Sequence, residues 1–582
     1  MAEPKPKKKA VPVRNVNVGV LGHVDSGKTA LARALSARGR VGTAALDKSP
    51  QSAARGITLD LGFSSFAAPL AGGPGGEGGG AGGGEVQFTL VDCPGHASLI
   101  RTVMGGAQII DAALLVVDAT KGIQTQTAEC LVVGEILTEQ LVVVLNKTDL
   151  LEPAGRDAAL RKLRERLART FERTRFRGCP MVEVAARPGG PDSDAPPEGL
   201  AALVGALVAG VPRALARRAA AAAADGGPAA PTLFMVDHCF SVKGQGTVAT
   251  GTVLAGEVRV NAALEVPSLK LERKVKSIQM FRQPVNRAAR GDRVGVCLAG
   301  FDAGSMERGF LAAPGAVPTF QVAVARVRRI RFFRGAVASK AKLHVTLGHA
   351  TVMAELLLFA EAPGAAEGGA RGGGGGTLTG TDWDLKAPFD SAGEYAYLPE
   401  LADPSASAGA ETGAGEGEAP VVTECWALLR FEQPVTCPAD SMLIGSRLDF
   451  DAHAKACRLA VSGRLRRVLS PAEARPEQLG GVLRVYKSKA KHGTLERVEK
   501  DGQTAICKGL FKKETDLSPF VGMEVTGAGG SKRGRIQGTF GKSGKFKVLF
   551  PEGAPDPAAD GPRIELHFKR FLFDADRRAM RQ

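Results

Sequence analysis

Along the first part of the chain, the order of apolar and polar positions predicts an α/β unit built on a mostly parallel sheet. An apolar run ends at Leu21, and a helix-like run, Ala30 to Leu35, follows a glycine-containing turn. Leu59, Leu61 and Phe63 alternate with Asp60 and Gly62, and Val86, Phe88 and Leu90 resume that period. Period-two alternation marks half-buried strands. The tract between them, 71–84, is almost all glycine and reads as the flexible loop of an antiparallel hairpin. Ala112 to Val117 and Leu141 to Leu145 are uninterrupted apolar runs, as expected of parallel strands covered on both faces. Leu160, Leu163, Leu167 and Phe171 recur at helical spacing among arginines, and Met181-Val-Glu-Val supplies a last strand.

After a helix end at Ala214 to Ala224 and the linker Asp225-Gly-Gly-Pro, the pattern changes to short stretches of β-branched residues separated by glycines, which suits barrels. We expect an α/β P-loop domain at 16–225, behind a basic tail at 1–15, followed by three β-rich barrel domains at 231–316, 317–475 and 480–582. The tracts 362–382 and 403–419, rich in small residues, interrupt the third unit and read as disordered insertions.

Composition narrows the class. The nine cysteines are scattered, with no C-x-x-C pair, so the sequence offers no zinc or disulfide framework and suits a reducing compartment. No run of about 18 apolar residues was found and the basic N-terminal segment has no apolar stretch for secretion. We therefore expect a soluble cytoplasmic protein away from membranes, with Lys5 and Lys7 to Lys9 as a weak pointer to nuclear shuttling. The formal charge is +16. From Gly481 to Gln582 there are 21 Lys and Arg against 12 Asp and Glu, a basic block that predicts a polyanionic partner, RNA above all. Lys532, Arg533, Arg535, Lys542, Lys545 and Lys547 are the candidate phosphate contacts. Gly541-Lys-Ser543 imitates part of a phosphate loop, but Ile536 stands where its upstream glycine belongs.

The chemistry begins at Gly22, Gly27, Lys28 and Thr29, spaced G-x-x-x-x-G-K-T between a strand and a helix. Such a loop wraps a phosphate: glycines let the backbone close in, amides and the helix N-terminus face the anion, and the lysine adds a charge. Asp25, Ser26, Gly27, Lys28, Thr29 and Ala30 are the expected nucleotide contacts, with Thr29 as an Mg²⁺ ligand. Thr58, at the mouth of the next strand, can reach a second Mg²⁺ position beside a terminal phosphate. Asp92-Cys-Pro-Gly95 fits a sensor in which Asp92 holds an Mg²⁺ water and the Gly95 amide meets the γ-phosphate. His96, directly after it, is placed to orient an attacking water. Asn146-Lys147-Thr-Asp149, at the tip of a buried strand, selects guanine, because the Asp149 carboxylate accepts from both the ring N1–H and the exocyclic amine. Ala185-Ala186-Arg187 occupies the place of a loop whose backbone can meet the guanine carbonyl.

In this order the elements resemble those of the translational GTPases, which hydrolyse GTP to GDP and phosphate to reset; His96 then looks like their catalytic histidine. Further on, Val236-Asp-His-Cys-Phe240 and Gly291-Asp-Arg293 are similar to the eukaryotic selenocysteine-specific elongation factors, as is the last unit from Arg484. That resemblance implies that Asp237, His238 and Arg293 line a pocket for the amino acid on a tRNA. It also implies selenocysteinyl-tRNA, the ribosome, and a binding protein for the selenocysteine insertion element with its RNA as partners, and a monomer. The alternatives are a general aminoacyl-tRNA or initiator-tRNA carrier, and a GTP-dependent RNA-binding regulator without tRNA cargo.

Overall fold

The computed structural model of the 582-residue chain describes residues 14–37, 62–70, 85–92, 109–172, 174–190, 193–224, 226–280, 283–361, 387–402, 423–449, 457–527, 532–541, 544–556, 561–573 and 580–582. Thr58, Gly95, His96 and Lys542 lie outside the described residues, as do the glycine tract 71–84 and both insertions.

The first unit carries six strands, β1 (Arg14–Gly22), β2 (Gly62–Pro69), β3 (Glu85–Asp92), β4 (Ala112–Asp118), β5 (Leu141–Asn146) and β6 (Met181–Glu183), in the spatial order β2-β3-β1-β4-β5-β6. Only β2 runs antiparallel to its neighbour, pairing Gly62 with Asp92 and Phe63 with Val91. Every residue of β4 and β5 is buried, as uninterrupted Val/Leu runs require when helices cover both faces. These are α1 (Lys28–Ala37), α2 (Thr125–Leu137), α3 (Arg156–Phe171) and α4 (Leu200–Ala224). In α3 the buried side chains are Leu160, Leu163, Leu167 and Phe171, the stripe read from the spacing.

The helix α4, 25 residues long, ends at Ala224, where the sequence places a helix end ahead of the linker. By length and composition it would span a bilayer, but its Leu203, Leu207, Val211 and Ala214 pack onto the sheet. Arg217 donates to the carbonyls of Ile110 (3.0 Å) and Asp111 (3.2 Å), and Arg218 to that of Asn15 (2.9 Å).

Each β-rich unit closes a ring of six strands. In the second, the order is Ala263–Val266, Gly309–Ala312, Leu233–Val242, Gly246–Ala255, Arg293–Leu298, Leu271–Met280 and back. The third runs Lys342–Leu347, Met442–Ser446, Leu459–Leu469, Thr319–Arg329, Glu424–Thr436, Ala350–Glu361 and back. The fourth runs Arg484–Val498, Thr504–Lys508, Lys545–Leu549, Arg533–Phe540, Glu524–Gly527, Arg563–Phe571 and back. Closure leaves these rings without free edges.

Two of the contacts that tie the first unit to the barrels are buried and hydrogen-bonded. Glu129 on α2 accepts from the Arg458 amide (3.2 Å), Nε (3.2 Å) and Nη2 (3.0 Å) of the third unit, with both side chains 7% exposed. Removing one member of such a buried pair typically costs about 3–5 kcal/mol, because the other charge is left without a partner. The second contact joins β1 to the second unit. The Gly291 carbonyl accepts from both Asn15 Nδ2 and Asn17 Nδ2, each at 3.1 Å. Between the third and fourth units a short parallel pairing sets Glu394 opposite Arg484. The Glu394 carboxylate accepts from Lys569 Nζ (2.8 Å) and Arg484 Nη2 (2.6 Å), and these cations, Lys569 foremost, hold its pKa below the usual value.

Candidate functional site

The phosphate loop lies where β1 ends and α1 begins, so the first amides of α1 point out of the loop as the motif requires. Gly27 has φ +89°, and a Cβ there would sit 2.2 Å from Asn146 Nδ2; a Cβ on Gly22 would meet the Val116 carbonyl at 2.4 Å. Only glycine fits either place. Asp25, at φ +61°, is one of the few non-glycine residues in the left-handed region, a local strain of the kind found at ligand clamps. Lys28 Nζ donates to the carbonyls of Gly22 (3.0 Å) and His23 (2.8 Å), which keeps the ammonium folded over the loop. Thr29 Oγ1 donates to Asp92 Oδ2 at 2.7 Å. The two predicted Mg²⁺-side residues thus face each other from different elements, and a hydroxyl with a carboxylate is a hard oxygen pair that suits Mg²⁺. Ser26 Oγ is buried with no hydrogen-bond partner among the described residues, as expected of a group kept for a nucleotide.

The base-selecting elements converge on the same loop. Asn146 donates from Nδ2 to the Ser26 carbonyl (2.9 Å) and accepts at Oδ1 from the Ala186 amide (3.1 Å), tying the phosphate loop to the loop after β6. Lys147 adopts φ +63° and places its ammonium 2.9 Å from Asp118 Oδ2. Burial works against ionisation of Asp118, but the Lys147 ammonium and the hydroxyl and amide of Thr120 outweigh it and lower its pKa. Asp149 is half-buried and accepts from the Gly189 amide at 3.2 Å. Ala185 and Ala186 are buried while Arg187 is exposed, so this loop offers its backbone to a base.

The second cluster sits on the second barrel. Where Leu233–Val242 pairs with Gly246–Ala255, the register slips between Val236 and His238. Asp237 is therefore the extra residue of a β-bulge, a device that re-aims a side chain beside a functional site. Gly251 makes room for it: a Cβ there would lie 1.8 Å from the Met235 carbonyl. Asp237 is 2% exposed, and its Oδ2 accepts from Arg293 Nη1 at 2.5 Å. Its Oδ1, and Thr252 Oγ1 across from Arg293, are buried with no partner among the described residues. A buried carboxylate oxygen left open costs free energy unless something else meets it. His238, next along the strand, is half-buried.

Three residues that sequence reasoning did not assign to this site also belong to its surroundings. His349 lies in a turn of the third barrel. Its ring bonds to the Val236 backbone within the field of Asp237, and burial pushes its pKa down. Its Nε2 has no partner among the described residues. Asn15 and Asn17 are 2% and 1% exposed on an otherwise apolar central strand. Their signal was present in the sequence as two polar residues on one face of a strand that should be apolar on both.

On the fourth barrel the described candidate RNA contacts lie on or beside the hairpin of Arg533–Phe540 and Lys545–Leu549. Lys545 and Lys547 pair with Glu496 (2.7 Å) and Glu499 (3.1 Å), and Arg533 with Glu524 (3.4 Å). Lys532 donates to the Ala554 carbonyl at 3.1 Å, and Arg535 is exposed. Phe546 is fully buried in the barrel core. Phe540 lies outside it, with Lys547 Nζ and the Arg497 guanidinium 5.4 and 5.9 Å from its ring centre.

Comparison with known proteins covers nearly the whole chain. Residues 13–245 match the elongation factor Tu GTP binding domain, and 246–313 match elongation factor Tu domain 2. Residues 324–463 match the third domain of the eukaryotic selenocysteine-specific elongation factor, and 481–561 its C-terminal RIFT domain. A selenocysteine-specific elongation factor of Mus musculus is 44% identical over 97% of this chain and 98% of its own length. One from Methanocaldococcus jannaschii is 36% identical over 60% of this chain and 67% of its own. Among solved structures, translation elongation factor SelB of Methanococcus maripaludis bound to the GTP analogue GppNHp superposes with TM-score 0.65 at 22% identity, covering 97% of this chain and all of that one. Its apo form gives 0.61 at 23% identity over the same share of each chain.

Proposed function

The chain belongs to the selenocysteine-specific elongation factors, a branch of the translational GTPases, and from that premise we propose that it delivers selenocysteinyl-tRNA to the ribosome as its GTP form and releases it when GTP is hydrolysed. The observation that carries this reading is the buried Asp237–Arg293 pair, placed by a bulge in the second barrel and anchored through Gly291 to the central strand of the GTP-binding domain.

A selenol is more acidic than a thiol or an alcohol, so selenocysteine arrives as an anion. The Arg293 guanidinium has five donors, of which Nη1 is given to Asp237; others remain to meet an anion, and Asp237 fixes their direction. Serine on the same tRNA offers only a neutral hydroxyl and gains less. Charge-assisted hydrogen bonds in such a site are worth about 1.5–3 kcal/mol against about 0.5–1.5 for neutral ones.

In the first domain the amides from Asp25 to Ala30 and the Lys28 ammonium hold the phosphates, and Asn146, Lys147 and Asp149 hold guanine. The Ala185 and Ala186 backbone, with Arg187 beside it, closes over the base. Thr29, Thr58 and Asp92 would hold Mg²⁺, which supplies positive charge beside the β- and γ-phosphates. Thr58 and Gly95 secure the two switch loops, and His96 orients the attacking water. The last barrel, through Lys532, Arg533, Arg535, Lys542, Lys545 and Lys547, contacts RNA, and a binding protein for the selenocysteine insertion element is the partner that brings the complex to its codon.

The test is protection of the aminoacyl ester from hydrolysis by GTP-loaded protein. Selenocysteinyl-tRNA should be protected about five- to tenfold better than seryl-tRNA from the difference in hydrogen-bond strengths. Equal protection sinks the selective reading, and protection of neither favours an RNA-binding regulator.

A further inference from the structure

Arg293 is held from two domains at once. Its Nη1 donates to Asp237 of the second barrel at 2.5 Å, while its guanidinium carbon lies 3.2 Å above the ring centre of Phe63, on β2 of the GTP-binding domain. The arginine side chain is 13% exposed and Phe63 is 8% exposed. Its backbone is anchored to the same domain. Gly291, two residues earlier, takes φ +86° and gives its carbonyl to Asn15 and Asn17. A Cβ on Gly291 would come within 2.3 Å of the Arg218 guanidinium, which is itself bonded to the Asn15 carbonyl and to Asp111. The turn that launches Arg293 into the pocket is therefore pressed against the GTP-binding domain.

We propose that Phe63 is a positioning residue for the amino-acid pocket: its ring face and the Asp237 carboxylate together fix the plane of the Arg293 guanidinium, so that one free edge points toward an incoming selenolate. A planar cation stacked on an aromatic face and tied along one edge has lost most of its rotational freedom, which is what separates an oriented donor pair from a mobile point charge. Phe63 contributes no charge and no hydrogen bond of its own. It acts through Arg293, and so bears on discrimination between cargoes more than on the capacity to hold tRNA.

The contact also has a definite place relative to the nucleotide. Gly62, immediately before Phe63, pairs with Asp92, and Asp92 accepts from Thr29 of the phosphate loop. Two steps along paired elements thus connect the phosphate loop to the ring under Arg293. Hydrophobicity at position 63 is explained by β2 alone; its seat under a buried cation of another domain is not.

The inference rests on the reading that Arg293 recognises the amino acid, and the experiment keeps the two apart. Full-length wild type, Phe63→Leu, Phe63→Tyr and Arg293→Ala are loaded with GTP, and the ratio of selenocysteinyl- to seryl-tRNA ester protection is measured for each. GTP affinity serves as the control for folding, and Phe63→Met replaces Phe63→Leu if the latter does not bind nucleotide. Loss of the aromatic face should reduce the ratio about two- to thirty-fold, the range of cation–π contributions, with Phe63→Tyr restoring it. A wild-type ratio in Phe63→Leu beside a reduced ratio in Arg293→Ala overturns the role of Phe63 only. Equal weakening of both cargoes in Phe63→Leu also overturns it, since that is what a purely structural residue would do. A wild-type ratio in Arg293→Ala removes the pocket reading itself.

Discussion

Asp149→Asn will convert the protein from a guanine to a xanthine nucleotide binder. The Gly189 amide holds the wild-type carboxylate in place, and the proposed site has it accept from N1–H and the exocyclic amine of guanine. An asparagine in the same position turns its Nδ2 toward that amine, so two charge-assisted bonds are lost and two donors face each other. At about 1.5–3 kcal/mol for each bond, GTP affinity should fall by two to four orders of magnitude. Xanthine presents a carbonyl where guanine has the amine, which the asparagine NH2 can meet. Titration of the variant with GTP and XTP measures this directly. Unchanged preference for GTP would mean that Asp149 does not touch the base.

Arg293→Ala will abolish discrimination between selenocysteinyl- and seryl-tRNA. The change removes the pocket's cation and also exposes an anionic cargo to Asp237, which is buried and would keep neither of its oxygens partnered within the described residues. Both effects act against a selenolate and neither acts strongly on a serine hydroxyl. The selenocysteine form should bind about ten- to a hundred-fold more weakly, from the usual strength of hydrogen bonds to charged groups, while the serine form changes by a few-fold at most. Arg293→Lys should recover part of the loss only, since an ammonium supplies charge without the planar fork that Asp237 and Phe63 hold. Equal weakening of both cargoes would show that Arg293 supports the barrel and does not read the amino acid.

Local pattern reached the GTP-binding domain because each of its elements has a strong signal. Buried runs such as Leu141–Leu145 announce a covered strand, and Gly27, with a Cβ-sized space already filled by Asn146, is legible because no other residue fits. The closed barrels were readable as class, from β-branched stretches and glycines, but not as strand order, which depends on pairings such as Lys342–Leu347 with Ala350–Glu361 and with Met442–Ser446. The pocket was only half legible. Asp237 and Arg293 came from a resemblance, and nothing in their spacing announces a β-bulge at Asp237. Phe63, Asn15, Asn17 and His349 meet the pocket across domain boundaries, where neither period nor spacing carries information.

The central claim is that the nucleotide held in the first domain decides whether the barrels can hold a charged tRNA. Its most direct measurement is the dissociation constant of selenocysteinyl-tRNA from purified protein loaded with GTP or with GDP, under otherwise identical salt. The account predicts tight binding with the triphosphate and binding weaker by at least about tenfold, or 1.4 kcal/mol, with the diphosphate. Equal affinity in the two states would contradict it.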